Sequence, residues 1–275
     1  MSSTSAIRIG LIAFVASASG FAQMQNNMDK ELTCQNENRN GRLARHCEIR
    51  EQAVAAIGRL ALQSDNGSVT VKGWLQSGVL VRVRIDASAD TESAAALLAS
   101  KVYVDASGGQ VRADGPRRDN DSSWSVSYEV FVPQNGDIEL ISANGSLSVS
   151  DVRGQIHFDA VNGSVKLKRV AGEVAGATVN GSIQVELAGP GDGRQMKRKT
   201  QNGSVTVTMP PSYSARVEAE TNMGGIQSDF PMTGVSPTEE RGQPRRLNFN
   251  IGAGGPLVHV TTGNGSVRFK RGETQ

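Results

Sequence analysis

The chain has 275 residues, a formal net charge of +2 from 29 basic and 27 acidic side chains, 31 glycines and only 4% aromatic residues. That length allows one large or two small domains with a real core. The balanced charge points to no polyanion partner by itself, and many glycines with few aromatics suit tight turns and small, regular core layers.

The chain opens MSSTSAIRIGLIAFVASASGFAQ. Arg8 gives a positive start, the stretch Ile9 to Ala16 is apolar, and small residues follow, with cleavage expected after Ala22 or Ala18. This reads as a secretory signal peptide over 1–22. The apolar run is short for a membrane span of about 20 residues. No Cys follows it directly, as a lipoprotein anchor would require, and no later segment could cross a membrane. Residues 23–47 read as a polar leader. Export into an oxidising space tends to join its two cysteines, Cys34 and Cys47, stabilising the fold by about 3 kcal/mol. A zinc site would need more ligands than these two and the nearby His46.

Residues 48–135 read as a β-rich capping region. EIREQAVAAIGRLALQS has helix-like apolar spacing, but it runs directly into strand-like DNGSVTVKGW, so two strands broken near Ala56-Ile57-Gly58 are expected. DTESAAALLASK, 90–101, is the one helix, with Asp90 or Thr91 as cap and Glu92 in the first turn. A hairpin follows around Ser107-Gly108-Gly109, then a strand from Trp124 to Val132 ended by Pro133.

Residues 136–271 repeat. Asn-Gly-Ser begins at Asn66, Asn144, Asn162, Asn180, Asn202 and Asn264, with a degenerate copy at Asn222-Met223-Gly224. The first two steps within this region are 18 residues each, and every triplet leads into period-two alternation (GSLSV, GSVKL, GSIQV, GSVTV, GSVRF). A second short strand precedes each triplet. Equal spacing favours a solenoid, β-helix-like, whose coils stack at about 4.8 Å. Leu147, Val165, Ile183 and Val205 then form one inward row, and Val149, Leu167, Val185 and Val207 the next. The asparagines form a ladder at the corner, with glycine supplying left-handed backbone. The alternative is an antiparallel meander of Asn-Gly hairpins. Both are all-β. The triplet also fits an N-glycosylation acceptor, but a turn explains its periodicity and a glycan does not.

No pattern marks a catalytic or metal site, and no cofactor is expected. His46, His157 and His259 lie far apart, with the last two alternating with apolar residues as outward strand positions. Asp137, Asp151 and Asp159 with Arg153 could line a polysaccharide-cleaving face, although solvated outward charges account for them more simply. Lys197-Arg198-Lys199 falls in the insert 189–201 and reads as a solvated loop. With Arg268, Lys270, Arg271 and Arg117-Arg118 it could meet an acidic envelope polymer. Nucleic acid is not expected, since export removes it and stacking aromatics are missing. PTEERGQPRR, 237–246, reads as a surface excursion.

The order HCEIRE (46–51), NGSVTVKGW (66–74), a helix, GGQVRADGP (108–116), SVSYEVFVP (125–133) and serial NGS strands resembles a bacterial β-strand-repeat family labelled as candidate adhesins, a domain of unknown function. The resemblance covers roughly Cys47 to Phe269 and departs from the pattern at the insert. It implies an exported, solenoid-like envelope protein with no catalytic residues. The expected function is an adhesin-like or scaffold binding module of the periplasm or cell surface, not an enzyme. Its partner would be an envelope polysaccharide or another surface protein, with self-association allowed. A polysaccharide-active β-helix enzyme and an envelope-stress or signalling accessory protein are the alternatives.

Overall fold

Asn162 lies beside Asn180 and Val165 beside Ile183, both in parallel register. The strands flanking each triplet therefore pair with their copies one coil away and not with each other, which excludes the hairpin meander. The computed structural model describes residues 30–34, 42–55, 58–189, 196–238 and 245–273. The expected signal peptide, 1–22, lies outside these residues, as does most of the leader. Leu32–Gln275 form one compact unit; of Met1–Glu31 only Lys30 and Glu31 are described.

In chain order the elements are β1 (Ala44–Val54), β2 (Arg59–Asn66), β3 (Val69–Trp74), β4 (Val79–Ala89), α1 (Glu92–Ser100), β5 (Tyr103–Asp105), β6 (Gln110–Asp114), β7 (Ser123–Pro133), β8 (Asp137–Asn144), β9 (Leu147–Ser150), β10 (Arg153–Asn162), β11 (Val165–Asn180), β12 (Ile183–Leu187), β13 (Met196–Asn202), β14 (Val205–Met209), β15 (Ala215–Met223), β16 (Ile226–Ser228), β17 (Thr233–Thr238), β18 (Arg245–Ile251), β19 (Leu257–Asn264) and β20 (Val267–Arg271). Each coil is one strand before the triplet and one after it. The strands before the triplets build one face, which we call the B face, in the order β2, β8, β10, the second half of β11, β13, β19, β15. The strands after the triplets build the opposite A face, in the order β3, β9, the first half of β11, β12, β14, β20, β16.

The core lies between the faces, and the expected inward rows are present. Val69, Leu147, Val165, Ile183, Val205 and Val267 are each at most 1% exposed. On the B face the row Leu62, Leu140, Phe158 continues through Gly176, where a Cβ would lie 2.6 Å from the Phe158 ring. That missing side chain makes room for the ring.

Coil order in space differs from coil order in sequence. The last coil, β19–β20, is inserted between β13–β14 and β15–β16. The degenerate copy is therefore the terminal coil and not the next one after Asn202. Its rung is Met223, one residue beyond Asn222, paired with Asn264. Beyond it the antiparallel β18 and β17 close the B face. Both ends of 237–246 thus belong to strands, because Pro237 pairs with Leu247. At the other end β7, β4 and β1 close the A face, and β6 with β5 close the B face. These caps blunt edges that would otherwise template pairing with another chain. Thr91 caps α1 by accepting from the Ala94 N–H at 3.1 Å. Arg50 of β1 donates to the Ala99 and Val102 carbonyls at and just past the helix's C-terminal end.

Cys34 and Cys47 are joined, 13 residues apart. The bridge pins 32–34 against the outer side of β4 and β7. There Arg82 donates to the Leu32 carbonyl at 3.3 Å and Arg84 to that of Thr33 at 3.3 Å. The segment helps bury Glu129, only 1% exposed, which is held by Arg82 and by Lys72 at 3.1 Å.

The asparagines form a continuous side-chain ladder. Asn144, Asn162, Asn180, Asn202 and Asn264 each donate Nδ2 to the Oδ1 of the preceding rung, at 3.1, 2.9, 2.9, 2.8 and 2.8 Å. Asn180 sits mid-ladder with two such bonds, whereas Asn264 has one, because Met223 follows it. Each net bond contributes about 1 kcal/mol. In urea titrations Asn180→Ala is expected to lose about 2 kcal/mol and Asn264→Ala about half of that.

Candidate functional site

The A face carries a regular exposed surface. Alternation turns Val165 and Leu167 inward and Lys166 and Lys168 outward, and every coil does the same. One outward row runs Thr70, Ser148, Lys166, Gln184, Thr206, Arg268, Gln227. Beside it lie Lys72, Ser150 and Lys168, and, past a register shift in β11 between Leu167 and Val170, Glu186, Thr208 and Lys270. From β9 to β20 these rows hold hydroxyls, an amide, four cations and the single carboxylate of Glu186. Lys166, Lys168 and Lys270 form no ion pair among the described residues, while Arg268 is steadied by Gln227 through Nε at 3.1 Å.

At the corner where A-face strands end, a groove of about 820 Å³ is lined by Asp151, Arg153, Arg169, Glu186, Leu187, Met209, Arg271 and Glu273 among others. Asp151 and Arg169 both occupy left-handed backbone, φ 59° and 50°, which costs a non-glycine residue about 1–2 kcal/mol. Their side chains join through two bonds, Nε to Oδ1 at 2.6 Å, and this keeps the Arg169 guanidinium's pKa above its ordinary value. The pair is 18 residues apart, one coil, so the spacing that relates Asn144 to Asn162 was its only sequence signal.

The carboxylates singled out from sequence do not converge. Asp151 is engaged by Arg169, Asp137 accepts the Gln155 N–H at 2.7 Å, and Asp159 bonds His157 at 3.1 Å on the B face. His157 and His259 do point outward, on one B-face row, separated by Ala175 and Lys197. His46 lies apart, 3.7 Å from Glu48. Among the described residues no three His, Cys, Asp or Glu side chains could hold a metal.

The basic run 197–199 is a correction. It is strand β13 and not a loop: Lys197 and Lys199 point out from the B face and Arg198 points into the core. It shares no face with Arg268 and Lys270, which belong to the A face. Arg118 is elsewhere again, stacked 3.8 Å from the Trp124 ring. Period two dictates this, since Met196, Arg198 and Thr200 all fall inward.

A second inward feature escaped the sequence reading. Ser64, Ser142, Thr178, Thr200, Thr262 and Thr221 lie two residues before each rung and are nearly fully buried. Their hydroxyls donate to glycine carbonyls of the corner. Ser64 and Ser142 serve their own coil (Gly67, Gly145), and the threonines serve the adjacent one (Gly163, Gly181, Gly203, Gly265). Ala160 stands where the direction switches, so each carbonyl still has one donor. The signal was a Ser or Thr two positions before Asn.

The family model described as Toastrack DUF4097 matches residues 52–269. The chain belongs to this family. No curated protein matches it. Among solved structures, it is similar to a candidate cell adhesion protein from Clostridium sporogenes ATCC 15579, with 12% identity, TM-score 0.42, and 82% of this chain and 100% of that one covered. It is also similar to a candidate adhesin from Bacteroides fragilis NCTC 9343, with 9% identity, TM-score 0.40, and coverage of 82% and 97%. A candidate lipid binding protein from Parabacteroides distasonis ATCC 8503 aligns at 11% identity, TM-score 0.30, and coverage of 81% and 96%. No helix among the described residues is long and apolar enough to cross a membrane.

Arg198 is an energetic anomaly of the core. It is 1% exposed, its Nε and Nη2 have no hydrogen-bond partner among the described residues, and burial pulls its pKa down to about 10. At neutral pH it is a charge in the core, and a well-packed apolar side chain there is expected to be more stable by about 1–4 kcal/mol. Arg198→Met should therefore raise the urea midpoint at pH 7. Because the folded state releases this proton more readily than the unfolded state, Arg198's own contribution to stability rises from pH 10 upward. The advantage of Arg198→Met should accordingly shrink between pH 9 and pH 11.

Proposed function

We propose that the protein is an exported binding module of the bacterial cell envelope, adhesin-like or scaffolding, which acts by displaying a long, rigid polar surface and not by turnover. The observation that carries this reading is the A face: outward side chains repeat coil by coil on strands fixed by backbone pairing, an inward hydroxyl row and the asparagine ladder. A surface so ordered is preorganised, so little freedom is lost when an extended partner lies along it. The expected signal peptide over 1–22 and the Cys34–Cys47 bridge support export to an oxidising compartment. In this reading 23–47 is a pinned leader, 48–135 a cap that also supplies the first coil, and 136–271 the display region. Its partner is an envelope polysaccharide or another surface protein.

The test is a defined glycan array probed with the exported full chain, followed by analysis of each bound glycan for cleavage. Saturable binding with intact glycan is the expected result. Product release would overturn the non-catalytic reading, and an array without any saturable ligand would count against glycan display.

A further inference from the structure

Four cations on the A face form two pairs. Lys166 and Lys168 lie on one coil, Arg268 and Lys270 on another, and all four are exposed. The register runs Lys166, Gln184, Thr206, Arg268, so three coil steps separate the pairs. At about 4.8 Å per step the pairs stand about 14 Å apart. Between them lie uncharged Gln and Thr side chains and Glu186, which faces Arg169 and helps hold that guanidinium charged. The three lysines are not neutralised by any ion pair among the described residues. In sequence the two pairs are about a hundred residues apart, and only the insertion of the last coil beside β14 brings them within reach of one ligand.

We infer that the A face binds a linear acidic polysaccharide laid along the solenoid axis, with its anionic groups meeting Lys166 and Lys168 at one end and Arg268 and Lys270 at the other. This rests on the binding-module reading and adds the face, the residues and the ligand class. Anionic groups recurring along a stiff chain match cations recurring along a stiff sheet, and hydroxyl and amide side chains between them suit sugar hydroxyls. Single-stranded nucleic acid fits less well, because no aromatic side chain stands among these outward positions for a base to stack on. The B face does not offer the same array. Lys197 there shares its row with Glu139 and Glu218, and Lys199 shares its row with Asp159 and Glu220.

The probe is polygalacturonate, as a chain of about a dozen sugars and as the disaccharide, with neutral dextran as control, titrated against the full chain by calorimetry at several salt concentrations. The long chain should bind, with affinity falling linearly in log–log against salt as counterions are released. The disaccharide should bind at least tenfold more weakly because it cannot span both pairs. Lys166→Gln/Lys168→Gln/Arg268→Gln/Lys270→Gln should lose at least tenfold in affinity and flatten the salt slope. Lys197→Gln/Lys199→Gln should change affinity less than twofold. The substituted side chains are exposed, and an unchanged thermal melt confirms that each variant folds. Equal loss in both variants, equal binding of dextran, or no salt-dependent binding would overturn the inference. A neutral glycan bound saturably on the array while polygalacturonate fails would overturn this assignment alone and leave the binding module standing.

Discussion

The fold depends on how closely successive corners approach. A Cβ on Gly163 would lie 2.1 Å from the Gly145 carbonyl oxygen, one on Gly181 would lie 2.1 Å from that of Gly163, and the same holds from Gly145 to Gly265. Any side chain there forces the coils apart. The close approach lets Gly145 N–H donate to Asn162 O at 3.0 Å and Leu147 N–H to Ser164 O at 3.0 Å, so the parallel ladder continues around the bend. The asparagine side chains then reach one another on the outside, and the buried hydroxyls reach the glycine carbonyls on the inside. Glycine's role is steric at every one of these corners and conformational at some: Gly67, Gly145, Gly203 and Gly224 have positive φ, from 127° to 156°, whereas Gly163, Gly181 and Gly265 do not. The other corner carries non-glycine residues in left-handed backbone, Asp151 and Arg169.

Much of this was legible in the sequence, because a parallel solenoid writes its register directly as spacing. Eighteen residues between triplets place Asn over Asn and Val165 over Ile183, and period two then sorts inward from outward. The cap of α1 and the hairpin around Ser107-Gly108-Gly109 are local signals and were equally readable. Insertion of the last coil was not, since β19 joins β13 through pairing that no local pattern encodes. Lys197-Arg198-Lys199 misled for a different reason: three basic residues beside a glycine-rich insert resemble a loop, and only neighbouring coils show that Arg198 continues an apolar row. The candidate surface was hidden likewise, because Lys166 and Arg268 become neighbours only after the coils are reordered.

The same rigidity that builds the core fixes the exterior. Side chains on the A face have no freedom to drift relative to one another, since each strand is bonded on both sides from β9 to β20. In the binding-module reading proposed above, function lies in the arrangement of outward residues. The corner groove contributes polar lining, but its central acid, Asp151, is committed to Arg169, and this pairing holds two left-handed residues in place. Arg198 shows the cost the architecture tolerates, a charge in the core where a single coil departs from apolar filling.

The central claim, that backbone contact at the glycine corner holds the coils in register, is tested most directly by comparing Gly163→Ala with Gly225→Ala in urea denaturation. A Cβ on Gly163 strikes a neighbouring carbonyl, whereas one on Gly225, in the terminal coil, meets nothing within 4 Å. Overpacking against rigid backbone should cost Gly163→Ala at least about 2 kcal/mol, or prevent native folding, while Gly225→Ala should stay within about 0.5 kcal/mol of wild type. Equal stability of the two variants would contradict the account.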